Sequence, residues 1–89
     1  MTARFDIALV REQGVDFAVV NVKRHVFDDR RAQEDLAATL VPHVGAIPVV
    51  FMAQDSRGKA TYVGRRDLVR FLANLFVEQL PWRTATLRI

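Results

Sequence analysis

Cysteine is absent from this 89-residue chain, and serine, tryptophan and tyrosine occur once each. Without thiols there can be no disulfide framework, thiolate metal site, thiol nucleophile or redox dithiol. Ser56 alone is left for serine-nucleophile chemistry, with His25 or His43 as base, and its Asp55-Ser56-Arg57-Gly58 context is that of a turn. The two histidines show no paired ligand spacing, so no zinc site and no other cofactor is expected. Long apolar runs are missing too: no segment approaches the roughly 20 residues that span a bilayer. Met1 to Asp6 also lacks the apolar stretch of a signal peptide. The expectation is a cytoplasmic domain without membrane contact.

What is present suits a globular fold. Hydrophobic residues make up 51% and charged residues 26%, which is enough apolar material for a core and an ordinary soluble surface. The length fits one domain over residues 1–89. The formal charge is +3, and eleven of the thirteen basic residues are arginine, the side chain suited to bidentate contact with phosphate or carboxylate. A GC-rich genome produces the same excess, so the charge speaks only of partners.

Phe5, Ile7 and Leu9 alternate with Asp6 and Ala8, the two-residue period of a strand, although a helix over 5–13 is the competing assignment. Arg11-Glu12-Gln13-Gly14 breaks the run, and Val15 to Val22 reads as a strand buried on both faces, completing a hairpin. Asp28 and Asp29 are placed to cap a helix carrying Ala32, Leu36 and Leu40, with Ala37 and Val41 on the same side and Pro42 as its stop. Ala46 to Ala53 is a central strand with Pro48 at its start, and residues 54–59 form a turn into a short antiparallel strand, Ala60 to Val63. Leu68, Phe71, Leu72, Leu75 and Phe76 trace the apolar stripe of a second helix from Arg66 to Glu78. The tail from Arg83 to Ile89 alternates as an edge strand. The fold class is therefore α/β (α+β): order ββαββα with a C-terminal strand, and one mixed sheet packed on two helices. The crossover from Val22 to Ile47 makes the second and third strands parallel.

Two families share parts of this layout. Phe5-Asp6-Ile7 on one strand and Val20-Asn21-Val22-Lys23-Arg24 on the next, followed by a helix and a parallel strand, resemble the core of the PD-(D/E)XK nucleases over about residues 4 to 53. The resemblance implies Asp6 as a divalent-metal ligand and Lys23 as the residue that orients or activates water. Asn21 stands where the family has its second acid, and Phe5 where it has a proline, so the resemblance implies an inactive relic. Ala46-Ile47-Pro48-Val49-Val50, Gly58-Lys59 and Tyr62-Val63-Gly64 before an amphipathic helix resemble the C-terminal half of thioredoxin-like proteins over about residues 18 to 76. That resemblance implies a cis peptide before Pro48 and, without cysteines, a scaffold rather than an oxidoreductase.

One basic cluster stands out. Gly64-Arg65-Arg66 opens the second helix, near Arg57 and Lys59 in the preceding turn and with Arg70 one turn on. Arginines beside the partial positive charge of a helix N-terminus favour an anionic partner, a phosphate-bearing ligand or nucleic acid, with Asp67 as a local offset. Tyr62 is placed to stack on a base or to pack half-buried, and Trp82 to anchor a partner or to close the core. The alternating tail offers an unpaired edge to a second copy, giving a homodimer, unless Arg83 and Arg88 block it. The chain is expected to be a non-catalytic binding or interaction module.

Overall fold

The alternating apolar residues of the first twenty positions form a long hairpin. In the computed structural model, which describes residues 2–12 and 14–88, β1 runs Thr2–Glu12 and β2 runs Val15–Asn21. Glu12 pairs with Val15 beside Gly14, whose φ of 77° suits glycine, and that tight turn sets every partner upstream: Ala8 with Val19, Asp6 with Asn21. The competing helix over 5–13 is therefore replaced by strand throughout its described residues.

After β2 the chain makes a short helix, α1 (Arg24–Phe27), then α2 (Arg30–Val44). Asp29 caps α2, its Oδ1 accepting from the Arg31 and Ala32 amides at 3.0 and 3.2 Å. Asp28 instead closes α1, and the Gln33 side-chain amide donates to the Phe27 carbonyl, fastening α1 to α2. Pro42 does not stop α2. It lies in the last turn, where it removes one donor, and the helix runs on until Gly45 (φ 88°) donates to the Val41 carbonyl at 2.8 Å.

The crossover returns as β3 (Val49–Gln54), parallel to β2, and β4 (Ala60–Val63) folds back antiparallel to it. Every described peptide bond is trans, including the one before Pro48, whose carbonyl accepts from the Ala18 amide. Next comes α3, Arg66–Leu72, six residues shorter than its apolar stripe implies. The Asn74 and Leu75 amides bond three residues back, the Asn74 side chain takes the Arg70 carbonyl, and Phe76 is extended, so the helix unwinds and leaves Phe76 75% exposed. A 3₁₀ turn at Val77–Gln79 leads into β5, Trp82–Arg88, antiparallel to β1.

The sheet order is β4-β3-β2-β1-β5, mixed, with helices on both faces. On one face, Ile7, Val20, Phe51 and Leu87 pack with Leu40 of α2; on the other, Ala8, Phe17, Val19, Val50 and Met52 pack with Leu68 and Leu72 of α3. The two-residue alternation thus sends even-numbered residues of β1 and odd-numbered residues of β2 toward the α3 side. No helix among the described residues is long and apolar enough to cross a membrane.

Candidate functional site

Because β2 and β3 run parallel, they end on the same side of the molecule, at Asn21 and Gln54. In open α/β sheets that is the side on which ligands bind, beyond the carboxyl ends of the strands. Strand register fills it with polar groups. Thr84 of β5 pairs with Asp6 of β1, Asp6 with Asn21 of β2, Asn21 with Met52 of β3 and Met52 with Tyr62 of β4, so these five residues form one row across the sheet. The Thr84 hydroxyl donates to Asp6 Oδ1 at 3.1 Å, fixing the carboxylate at the junction of three strands.

The row opens on a depression of about 750 Å³ that wraps the end of the hairpin; Arg4, Asp6, Asn21, Lys23, His25 and Thr84 supply its polar wall, and Phe5 and Val26 its apolar one. Asp6 and Asn21 also line a smaller hollow of about 380 Å³, with Gln54 and Glu78 on its far side. Lys23 precedes α1, and its carbonyl accepts from the Val26 and Phe27 amides. Neither Arg4 nor Lys23 joins an ion pair among the described residues; the pairs found there are Arg11–Asp16, Arg24–Asp28, Arg30–Glu34 and Arg65–Asp67. The depression therefore holds two uncommitted cations, one carboxylate, the His25 imidazole and the hydrogen-bonding groups of Asn21 and Thr84. No three His, Cys, Asp or Glu side chains among the described residues gather as a metal site.

Asp6 and Lys23, adjacent to the same depression, are brought together by the hairpin. The basic residues are not. Arg57 and Lys59 precede β4 whereas Arg65 and Arg66 follow it, and a four-residue strand separates the two pairs by more than about 10 Å. In the turn, Asp55 Oδ1 accepts from the Arg57 and Lys59 amides, both at 2.9 Å, so this segment is shaped by its own aspartate. At the start of α3 the Arg65 guanidinium grips Asp67 with two hydrogen bonds of 2.8 Å. That contact lowers the Asp67 pKa and raises that of Arg65. The Arg65 charge at this helix start is thus paired within the chain, whereas Arg66 and Arg70 join no ion pair among the described residues.

Tyr62 is half-buried against the α3 core, and its buried hydroxyl has no hydrogen-bond partner among the described residues. Burial, and secondarily Glu78, pushes its pKa up. Trp82 is half-buried, with its indole N–H donating to the Val77 carbonyl at 2.8 Å, and so closes the core beside α3. Ser56 lies exposed in the Asp55 turn. Arg4 and Thr84 are the site members that reading the sequence for binding groups did not reveal, whereas Asn21 is placed beside Asp6 by the nuclease resemblance, as an amide in the position of the second acid. The turn at Gly14 dictates that pairing; Thr84 was not within reach, because its contact spans 78 positions.

Comparison with protein-family models, curated proteins and solved structures returns no match to this chain.

Proposed function

We propose that this chain is a non-catalytic binding module whose ligand is a phosphate-bearing molecule held at the carboxyl ends of β2 and β3. The observation that carries this reading is the pair of uncommitted cations, Arg4 and Lys23, lining the same depression as the Thr84–Asp6–Asn21 row. Arg4 offers a bidentate fork and Lys23 a point charge, the two usual ways of taking a phosphate. The Asp6 carboxylate, oriented by Thr84, accepts from a hydroxyl or amine on the same ligand, and Asn21 both donates and accepts. A nucleotide or a nucleic-acid strand presents that combination. The anion contact is thereby assigned to Arg4 and Lys23 in preference to the start of α3, where Arg65 is occupied by Asp67.

The test is titration with a single-stranded oligonucleotide, a mononucleotide and inorganic phosphate at several salt concentrations. Binding is expected to weaken with salt, with Arg4→Ala and Lys23→Ala each costing about tenfold and lowering the salt slope by roughly 0.7 per lost phosphate contact on a single strand. Equal affinity of both variants and the native chain for all three ligands would end this reading.

The second reading is the nuclease-like one, supported by Asp6 lying directly across from Asn21 with Lys23 beside the same depression. An amide in place of the second carboxylate binds a hard divalent cation poorly, so this reading gives an inactive relic. Asn21→Asp is expected to create Mg²⁺ or Mn²⁺ binding, with nuclease activity as the accompanying readout. A variant that binds neither metal would rule it out. Self-association through β5, the longer of the two edge strands of the sheet, completes the proposed behaviour.

A further inference from the structure

Strand β5 ends the sheet and pairs only with β1, so one side of its seven residues presents unpaired backbone N–H and C=O groups. The opposite edge, β4, is four residues long. Edge strands are usually blunted by shortness, proline, bulges or inward charges. Between Trp82 and Arg88 there is no proline or glycine; Pro81 lies just before the strand.

We infer that β5 pairs antiparallel with β5 of a second copy about a two-fold axis at Ala85, joining two sheets into one of ten strands. This rests on the proposed self-association and specifies its geometry. A two-fold axis perpendicular to the sheet keeps each face continuous, so opposite residues must point the same way and the axis must pass through a residue pair. Centred on Ala85, all seven residues find partners. Thr84 lies opposite Thr86, Arg83 opposite Leu87 and Trp82 opposite Arg88, while the small Ala85 side chain meets its own copy. Threonine pairs are favourable across strands, and no arginine faces another. Trp82 is held by its bond to the Val77 carbonyl, so its ring is fixed to receive the Arg88 guanidinium of the second copy. The arginines that look like gatekeepers in one copy become complementary between two.

The arrangement bears on the polar depression. Thr84 of each copy gains Thr86 of the other as its neighbour, and the two Asp6 residues lie three strand spacings apart and two residues offset along the strands, about 16 Å, on the same face. Two ligand sites then sit side by side.

The absence of cysteine makes the test clean. Opposed residues in antiparallel strands have Cα atoms about 4.5–5.5 Å apart, inside the disulfide range, whereas diagonal neighbours lie about 7–8 Å apart and outside it. Sedimentation of the native chain is expected to give twice the 10.1 kDa protomer mass. Under mild oxidation Ala85→Cys should cross-link at least tenfold faster than Thr84→Cys or Thr86→Cys. Ala85→Lys, which sets two ammonium groups opposite each other, should sediment as a folded monomer by circular dichroism. A monomeric native chain would overturn self-association altogether. A dimer that cross-links best through Thr84→Cys or Thr86→Cys, or that persists in Ala85→Lys, would overturn the Ala85-centred register while leaving self-association standing.

Discussion

Gly64 and Tyr62 show how two neighbouring residues carry opposite kinds of constraint. Gly64 has φ 155° and lies so close to β3 that an added Cβ would stand 3.2 Å from Val50 Cα and 3.3 Å from the Val49 carbonyl oxygen. A side chain there would require β3 to give way by a few tenths of an ångström, at a backbone conformation that side chains rarely adopt. Gly64→Ala is expected to lower stability by about 1–3 kcal/mol, measured by urea unfolding. Tyr62 holds a buried hydroxyl without a partner, so Tyr62→Phe should leave stability unchanged or raise it by up to about 1 kcal/mol. Its phenol also titrates higher in the folded state than the ordinary 10.0, chiefly through burial. The folded state thus holds that proton more tightly. Its contribution is complete below pH 10.0 and lost as pH rises through the higher folded value, so the native chain should weaken in alkali more than Tyr62→Phe does. A pair of thermal unfolding series from pH 8 to 11 checks the sign, to within about 1 kcal/mol.

At the scale of elements, local signals succeeded where a single side chain decides the backbone. Asp29 caps α2 through two amide contacts, and Asp29→Ala is expected to cost about 1 kcal/mol while Asp29→Asn, which keeps an acceptor, costs less. Chemical denaturation separates the two. The hairpin was legible because Phe5, Ile7 and Leu9 alternate before a glycine turn, and the turn fixed its register. The ends of the helices were less so. Pro42 marks a stop in isolation, yet a missing donor in the last turn is tolerated, and α2 continues to Gly45. Phe76 continues the apolar stripe of α3 in the sequence, but the Asn74 side chain competes for the Arg70 carbonyl and the chain turns outward before reaching it. The short helix α1 has no sequence signal apart from Asp28, because four residues are too few to show a period.

For the whole molecule, legibility falls with sequence separation. Asp6 and Lys23 could be paired from the hairpin alone, and Arg4 lies two residues before Asp6 on the same face of β1, but Thr84 enters the site only through the β1–β5 register, which closes the two ends of the chain on each other. The spread of the basic residues is local instead, since the four-residue strand β4 between Lys59 and Arg65 sets the two pairs at its opposite ends. The arginine excess is therefore distributed around the molecule, and among the described residues Arg4 and Lys23 combine freedom from ion pairs with a depression that they share with Asp6, Asn21 and Thr84. A phosphate-bearing ligand is proposed to occupy that depression. The most direct measurement is amide chemical-shift mapping during titration with a single-stranded oligonucleotide. We expect the largest shifts at Arg4, Asp6, Asn21, Lys23 and Thr84, abolished in the Arg4→Ala, Lys23→Ala double variant; shifts centred on Arg65, Arg66 and Asp67, or no shifts at all, would contradict the account.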